Sequence, residues 1–413
     1  MHTRWSQRRS RAFTLVDSLI VTAIGVLLIG VLVPTIQHSR ELARKSQCLT
    51  NLRQIGLAMS TYEKLHSMYP FTQGISCNNW PNGQCQTTMN WGIAILPQLN
   101  QAATYNQYNQ YASFADPQNA CAIATVVSAF ICPSAPRASN LTTMNMTARA
   151  ISNVANSDPE EPSGNFIPFG VPMSATGGAT DYVISSGVKA HLMSLVFPAD
   201  NPILQKLTID GSLKDSWGFG RPGEWMVLSN VDYESTRTNS AGPNMHGLSK
   251  WNITVDSITD GLSNTTMVFE LAGRNAVYHA GYRNLASGPS LAPQFDQLEI
   301  ENQLAFGGGL WADPANGDYF IAGRELSDGS GRHTGNKLIN KSNMRTSAAG
   351  GGSYYYGYGC GPYGFHRSGA NVLMCDGSVR TFSENIDAAL LCSLVGARDG
   401  LAVGNEELSV GLA

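Results

Sequence analysis

Residues 13–36 read FTLVDSLIVTAIGVLLIGVLVPTI and contain one ionisable side chain, that of Asp17. A helix of this length rises roughly 36 Å, which exceeds the roughly 30 Å thickness of the hydrocarbon core of a bilayer. The stretch therefore predicts a membrane-spanning helix. A charged group near lipid costs roughly 3 kcal/mol or more unless it is paired or lies near the interface. We therefore expect a cation from another chain, or an amine newly made at Phe13, to neutralise Asp17, which lies one turn into the helix.

The basic residues on either side of the span predict its orientation. Four arginines and no acid precede the span, and three basic residues follow it. They are Arg4, Arg8, Arg9 and Arg11 before it, and Arg40, Arg44 and Lys45 after it. Together with the amino terminus, this bias favours a cytoplasmic N-terminus. The sequence thus predicts a single-pass protein of the inner (cytoplasmic) membrane, with everything after about residue 40 in the periplasm or outside the cell.

The N-terminal segment resembles a known family. A short basic leader, the residues AFTLVD at positions 12–17, a long apolar helix and Pro34 within it are similar to the start of a type IV pilin or type II secretion pseudopilin. In that family a prepilin peptidase cuts before the Phe and N-methylates the new terminus. The resemblance implies cleavage between Ala12 and Phe13, and assembly roles for Asp17 and Pro34. The family usually has Gly at the position of Ala12 and Glu at that of Asp17.

An alternative for the same segment is an export signal. The pair Arg8-Arg9 before an apolar run is a weak feature of twin-arginine signals. A secretory signal peptide has an apolar region of about 7 to 15 residues and a small-residue cleavage site after it. The run in this chain is longer, has no Ala-x-Ala after it and continues into a charged helix. These features favour an anchored protein over a secreted one.

Helical periodicity continues beyond the apolar run. Apolar residues recur at alternating steps of four and three, which places them on one face of a helix. They are Cys48, Leu52, Ile55, Met59 and Tyr62. We predict one helix from about Phe13 to His66, ended by Tyr69-Pro70, because a residue that precedes proline disfavours helix. Its first half would lie in lipid and its second half would present an apolar face to the head.

The sequence predicts an α+β fold, in which a transmembrane and stalk helix packs on a β-rich exported head, as in pilins. The leader occupies residues 1–12, the helix 13–66 and the head 67–413. If the head has two subdomains, we expect the division in the exposed connection at residues 152–165. Strands are predicted at residues 180–187 and 266–271, and a helix at residues 91–112. The segment 371–382 predicts a β-hairpin with a type I′ turn at Asp376-Gly377, followed by a helix capped by Ser383.

Composition excludes some partners and suggests an oxidising compartment. Charged residues make up 14% and the formal net charge is -3, whereas a nucleic-acid surface needs a concentrated basic patch.

The eight cysteines fit an oxidising compartment. Local disulfides between Cys77 and Cys85 and between Cys121 and Cys132 are candidates, although the sequence alone cannot fix the connectivity. Since no cysteine pair has C-x-x-C spacing and no Cys/His cluster has zinc spacing, we expect no metal site of that type and no cofactor.

Several short motifs of the head resemble those of a second family. They are ICPS at residues 131–134, TDGLSNT at 259–265, and His366 followed after nine residues by Asp376-Gly377. With the pilin-like start, they are similar to a bacterial family of prepilin-processed proteins, whose exported domain is named for the His-x9-Asp-Gly motif and has no established activity. The resemblance marks seven family-motif residues: Asp260, Gly261, Ser263, Asn264, His366, Asp376 and Gly377.

We weigh a catalytic function of these motifs against a structural one. His366 could act as a general base with Asp376, and Ser263 could be a nucleophile. The structural interpretation is favoured, with Asp376 in a turn and His366 hydrogen-bonded at the approach to the hairpin. The sequence has no Gly-x-Ser-x-Gly, His-Glu-x-x-His or phosphate-loop motif, so we expect no enzyme. Some pseudopilins bind Ca²⁺ in their heads, and Asp260 and Asp376 could supply oxygen ligands, without EF-hand spacing.

Two functions remain open. The first is a structural, pseudopilin-like subunit of a type II secretion or type IV pilus-like envelope assembly, with prepilin peptidase and other pilin-like subunits as partners. The second is a membrane-anchored module that binds a glycan or peptide. The second function would use the 91–112 region and the Gly/Tyr-rich residues 350–364, which include Tyr354 and Tyr358, because such loops can present aromatic rings to a ligand.

Overall fold

A computed structural model shows the fold of much of the chain. It describes residues 15–77, 85–146, 173–209, 212–213, 216–217, 225–229, 253–274, 276, 278–279, 281, 283–284, 309–317, 319–323, 338–343, 345–346, 357–359 and 361–397. The described chain separates into two compact units, Met1–Ser46 and Gln47–Ala413. A long N-terminal helix and a sheet-containing head confirm the predicted α+β class. The connection at residues 152–165, where a division of the head was predicted, lies outside the described residues.

The first helix, α1, runs from Leu15 to His66 and contains Pro34. Its end agrees with the prediction, and Phe13 lies outside the described residues. Among the described residues, α1 is the one helix long and apolar enough to cross a membrane. The apolar side chains between Leu15 and Ile36 are exposed in the isolated chain. An environment of lipid or of other apolar helices would cover them.

Two hydroxyl groups of this apolar segment, those of Thr22 and Thr35, donate to backbone carbonyls within the helix. Oγ1 of Thr22 donates to the carbonyl oxygen of Ser18 at 2.9 Å, and Oγ1 of Thr35 donates to that of Val31 at 2.8 Å. Such bonds allow polar side chains to lie in an apolar medium without an unpaired donor. The segment is therefore chemically compatible with the hydrocarbon core of a membrane.

The second half of α1 is part of the core of the head. Cys48, Leu52, Ile55 and Met59 are fully buried, and Tyr62 packs against them from the edge. This is the stripe that the periodicity predicts. A Cβ built on Gly56 would lie 2.8 Å from Cδ1 of Leu373, so the helix approaches a strand of the sheet very closely at this point.

The remaining helices are short. They are α2 (Trp91–Ala94), α3 (Ala102–Gln107), α4 (Ala120–Ile123), α5 (Ala190–Val196), α6 (Pro202–Leu207) and α7 (Ala388–Val395), with 3₁₀ turns at Pro97–Leu99, Pro117–Asn119, Ser128–Phe130, Val255–Ser257 and Pro314–Gly317. The single helix predicted for residues 91–112 is wrong. Asn100 adopts a left-handed φ of 60°, which ends the turn after Pro97 and separates α2 from α3.

The strands of the described chain are short as well. They are β1 (Gln73–Cys77), β2 (Cys85–Asn90), β3 (Leu141–Met146), β4 (Met173–Gly178), β5 (Tyr182–Val188), β6 (Thr208–Ile209), β7 (Ser212–Leu213), β8 (Ser216–Trp217), β9 (Trp225–Ser229), β10 (Thr266–Glu270), β11 (Tyr278–His279), β12 (Arg283–Asn284), β13 (Tyr319–Ile321), β14 (Arg345–Thr346), β15 (Gly357–Gly359), β16 (Ala370–Met374) and β17 (Val379–Phe382). The strands predicted at 180–187, 266–271 and 371–382 are confirmed by β5, β10, β16 and β17.

The largest sheet lies at the centre of the head. Within the described ranges it has eight strands in the order β14-β15-β13-β5-β10-β16-β17, and β8 pairs with β5. Successive residues of a strand point to opposite faces. Tyr182 and Val268 belong to an apolar cluster that includes the second half of α1, whereas Val183 and Phe269 belong to one that includes α5 and α7. Both faces of the sheet are therefore covered.

Smaller sheets complete the described head. The strand β1 pairs antiparallel with β2 and parallel with β9, while β3 pairs with β4, β6 with β7, and β11 with β12. The strand β15 shows that part of the Gly/Tyr-rich segment is not a loop. Gly357–Gly359 pair with β13 and β14, and the Tyr363 that follows is fully buried.

The hairpin of β16 and β17 closes differently from the prediction. The N–H of Met374 donates to the carbonyl oxygen of Ser378 at 2.8 Å, so the loop has three residues. Gly377 has a left-handed φ of 84°, whereas Asp376 has no positive φ. A type I′ turn needs positive φ at both central residues, so that prediction is wrong. A three-residue loop with glycine in the left-handed position is the next most common closure.

The helix after the hairpin also begins later than predicted. Oγ of Ser383 accepts the N–H of Asn385 in a turn and caps no helix. Asp387 is the N-cap of α7, because its Oδ1 accepts the N–H groups of Ala389 and Leu390 at 2.9 and 3.0 Å. An aspartate at this position also interacts favourably with the helix dipole.

Two glycines with positive φ give a matched test of this packing. Gly369 has a φ of 125°, and a Cβ there would collide with the carbonyl oxygen of Phe382. Gly377 has a φ of 84° and open space around it. We expect Gly369→Ala to lower the free energy of unfolding by at least about 3 kcal/mol and Gly377→Ala by only about 1 kcal/mol. Denaturant unfolding of the full chain in detergent measures both, and equal losses would contradict the described β16–β17 packing.

Candidate functional site

Four buried side chains from distant parts of the sequence converge beside the end of β10. Cys48 lies on α1, Cys132 follows the 3₁₀ turn Ser128–Phe130, Glu270 is the last residue of β10, and His366 precedes β16. One sulfur, nitrogen or carboxylate oxygen of each lies within 4.8 Å of the others. We call Cys48, Cys132, Glu270 and His366 the Cys–His–Glu cluster. It is the one such convergence of three or more His, Cys, Asp or Glu side chains in the part of the chain that the structure describes.

A disulfide bond joins the two cysteines of the cluster. Cys48 and Cys132 are 84 residues apart in sequence, and their Cα atoms lie 5.2 Å apart. The predicted Cys121–Cys132 disulfide is therefore wrong, and Cys121 is an exposed free thiol. Cys77 and Cys85 are paired positions of the β1–β2 ladder. Their side chains lie outside what the structure describes, so that disulfide remains a prediction.

The histidine and the glutamate lie side by side against the disulfide. Nε2 of His366 is 3.2 Å from Oε1 of Glu270 and 3.6 Å from Sγ of Cys132. Oε2 of Glu270 accepts the N–H of Asn371 at 2.8 Å. Among the described residues, Oε1 of Glu270 has no hydrogen-bond partner, because the contact with His366 is not aligned as a hydrogen bond. A Cβ on Gly364 would lie 2.9 Å from Oε2, so only glycine leaves room for this carboxylate.

A buried aspartate holds the loop that carries Cys132. Oδ2 of Asp181 accepts the N–H of Cys132 at 2.7 Å, and Oδ1 accepts the N–H of Gly273 at 2.9 Å. The guanidinium of Arg137 binds both carboxylate oxygens of Asp181. An ionised carboxylate in the interior needs such partners. The network fixes Cys132 close to the end of β10.

Two polar side chains connect α1 to the loop that carries Cys132 and to β5. Nδ2 of Asn51, one turn after Cys48, donates to the carbonyl oxygen of Ile131 at 2.6 Å. The hydroxyl of Tyr182 donates to the carbonyl oxygen of Cys48 at 3.4 Å. Burial raises the pKa of Tyr182 well above its ordinary value, and the negative charges of Glu270 and Asp181 raise it further. Tyr182 therefore stays a neutral donor.

The other family-motif residues lie at a different place. Two backbone hydrogen bonds join the hairpin loop to the loop that contains Asp260, Gly261, Ser263 and Asn264. The N–H of Asp376 donates to the carbonyl oxygen of Leu262 at 3.0 Å. The N–H of Cys375 donates to the carbonyl oxygen of Thr265 at 2.9 Å. Asp376 is exposed, and its Oδ1 accepts the N–H of Ser378 at 2.8 Å. In the described chain, neither Asp260 nor Asp376 belongs to the convergent group, so their role as Ca²⁺ ligands stays a prediction.

The structure describes two of the four residues predicted to act in processing and assembly. Ala12 and Phe13 lie outside the described residues. Asp17 and Pro34 both lie within α1, and the helix continues through Pro34. The His-x9-Asp-Gly motif pointed to His366, whereas neither Cys48 as its neighbour nor Glu270 was predicted. No local spacing connects the four residues of the Cys–His–Glu cluster, which come from four separate segments.

Comparison with known protein families identifies the family of the chain. A family model described as "Protein of unknown function (DUF1559)" matches residues 37–188 and 210–389, which is more than half of the chain. The chain belongs to this family. The match begins near the end of the apolar run of α1 and includes all members of the Cys–His–Glu cluster and all seven family-motif residues. No curated protein and no solved structure matches the DUF1559 chain.

The disulfide should raise the free energy of unfolding by an amount that can be measured. It closes a loop of 84 residues in sequence, which in the chain-entropy account stabilises a protein by about 4–5 kcal/mol. We expect Cys48→Ser or Cys132→Ser to lower the free energy of unfolding by about that amount. Cys121→Ser is the matched control, because Cys121 is exposed and unbridged, and it should change stability by no more than about 0.5 kcal/mol. A loss of the same size in the control would contradict the assigned pairing.

Proposed function

We propose that this member of the DUF1559 family is a structural, pseudopilin-like subunit of a type II secretion or type IV pilus-like envelope assembly. The observation that carries the proposal is α1. One helix contains an apolar segment long enough to cross a membrane and an apolar stripe that is buried in the head. This is the layout of pilin-like subunits, which the N-terminal sequence also resembles.

The exposed apolar surface of α1 supports the need for neighbours. Most side chains from Leu15 to Ile36 are apolar, and the Leu, Val and Ile side chains among them are exposed. In a bilayer such helices associate through close packing and interhelical polar contacts. The proposed partners are other pilin-like subunits, which pack their apolar helices against this one.

Asp17 has a specific role in the proposal. Prepilin peptidase removes residues 1–12, cutting between Ala12 and Phe13, and N-methylates the new terminus. The carboxylate of Asp17 then pairs with the terminal amine of a neighbouring subunit, which removes the cost of a lone charge in lipid. The head lies in the periplasm or outside the cell, where a disulfide such as Cys48–Cys132 is stable. In this proposal the head has no enzymatic activity.

The structure gives less support to a membrane-anchored binding module. The described part of the Gly/Tyr-rich segment is used in the fold: Gly357–Gly359 form a strand, and the ring of Tyr363 is fully buried. The hydroxyl of Tyr319 donates to the carbonyl oxygen of Gly361 at 2.9 Å, which holds the segment to β13. Tyr354 lies outside the described residues. A glycan or peptide ligand therefore has no specific observation in its favour.

Substitution of Asp17 tests the proposal. Removal of the carboxylate in Asp17→Ala leaves the amine of the neighbour unpaired in lipid, at a cost of roughly 3 kcal/mol. Since each 1.4 kcal/mol is about tenfold in an equilibrium, the yield of cross-linked oligomers in the native membrane should fall by about 100-fold. Asp17→Glu is the control, because it keeps the charge, and it should assemble normally.

Membrane insertion has to be measured in the same cells. The apolar segment is unchanged in both variants, so the amount of chain in the membrane fraction should equal that of the wild type. Oligomers that persist undiminished in Asp17→Ala would contradict the role of the carboxylate in assembly.

A further inference from the structure

The Cys–His–Glu cluster offers the donor atoms of a metal site. It combines two sulfurs, an imidazole nitrogen and a carboxylate oxygen within 4.8 Å of one another, and all four side chains are buried. Thiolate, imidazole and carboxylate are the ligands that zinc takes in proteins, most often four of them in a tetrahedron. The cluster has the number and the kinds of ligand that a closed zinc site needs.

Two separations in the cluster are close to those expected around a shared zinc ion. Around a tetrahedral zinc with bonds of about 2.0–2.3 Å, neighbouring ligand atoms lie roughly 3.3–3.8 Å apart. Nε2 of His366 lies 3.6 Å from Sγ of Cys132 and 3.2 Å from Oε1 of Glu270. The two sulfurs are closer than this because a disulfide joins them. Reduction would let them separate to the spacing of two zinc ligands.

An unsatisfied oxygen points to the same ligand. The Glu270 side chain is fully buried, and its Oε1 has no hydrogen-bond partner among the described residues, although Oε2 accepts a backbone N–H. A buried acceptor without a partner costs about 1–3 kcal/mol, and more when it is charged. A metal ion between Oε1, Nε2 of His366 and Sγ of Cys132 would remove this cost.

We propose that the Cys–His–Glu cluster binds one zinc ion when its disulfide is reduced. A dithiol reductant supplies two electrons and becomes a disulfide itself, while the bond between Cys48 and Cys132 opens and each sulfur takes up a proton. Zinc then displaces both thiol protons into solvent. The ion forms bonds to the two thiolates, to Nε2 of a neutral His366 and to a carboxylate oxygen of Glu270.

The disulfide and the zinc complex are thus alternative states of one site. Disulfides persist in exported proteins, whereas thiols stay reduced in the cytosol. The chain holds zinc under reducing conditions and the Cys48–Cys132 bond under oxidising ones. In both states α1 is tied to the loop of Cys132, so the packing of the helix on the head does not depend on the redox environment. The proposal is independent of any function in a filament.

Zinc uptake by the full chain in detergent tests the proposal. The protein is prepared oxidised, and also reduced with a dithiol that is then removed under anaerobic conditions. Zinc alone is titrated in competition with a chromogenic chelator. We expect the reduced chain to take up one zinc ion at high affinity and the oxidised chain to take up none. Equal uptake by both forms, or none by the reduced form, would overturn the proposal.

Site-resolved measurements separate this site from the other cysteines. Zinc should protect Cys48 and Cys132 of the reduced chain from a thiol-alkylating reagent, as read by peptide mass spectrometry, while the exposed Cys121 reacts with or without zinc. Protection of other cysteines in place of these two would refute the assigned ligands.

A nearly isosteric variant tests the carboxylate. Glu270→Gln keeps an acceptor for the N–H of Asn371 but loses the charge. It should weaken zinc binding by more than about tenfold, since changes even to outer-shell partners cost 10–100-fold. Cys121→Ser should bind zinc like the wild type. Circular dichroism of the oxidised form checks that Glu270→Gln is folded, and a folded variant with unchanged zinc affinity would contradict the proposal.

Discussion

The bond between Cys48 and Cys132 connects two parts of the chain that would otherwise be held by weaker contacts alone. On one side it holds the second half of α1, and on the other it holds the loop after the 3₁₀ turn Ser128–Phe130. The hydrogen bond from Asn51 to Ile131 repeats this connection, and the hydrogen bond from Tyr182 to Cys48 joins α1 to β5. The same part of α1 supplies Leu52, Ile55 and Met59 to the apolar cluster on one face of the central sheet.

This arrangement explains how one helix can serve two environments. Before Ser46 its side chains are exposed and mostly apolar, which suits lipid or other helices. From Gln47 onward it belongs to the compact unit of the head, where a disulfide, buried polar contacts and an apolar stripe hold it.

Much of this architecture could be predicted because its signals are local. The apolar run, the stripe from Cys48 to Tyr62 and the alternating strands follow from helical and strand periodicities. The predictions were wrong where a single backbone conformation or a contact with a distant residue determines the local structure. The left-handed Asn100 divides a predicted helix, and a three-residue loop replaces the type I′ turn. Asp387 rather than Ser383 caps α7, because only its side chain reaches the first N–H groups of the helix.

The candidate site was less predictable than the fold for the same reason. Cys132 lies closer in sequence to Cys121 than to Cys48, but the sheet and α1 bring the distant cysteine to it. Glu270 has the sequence pattern of an ordinary strand residue, and only the folded structure places its carboxylate beside His366 and the two cysteines. Such a cluster from four segments has no spacing that a sequence motif could record.

In the proposed function the chain is a processed subunit and not a solitary anchored domain. Intact-mass and N-terminal peptide analysis of protein extracted from its native membrane tests this most directly. A subunit processed as proposed lacks residues 1–12 and begins with an N-methylated Phe13. A chain that begins with Met1 and keeps its arginine-rich leader would contradict it.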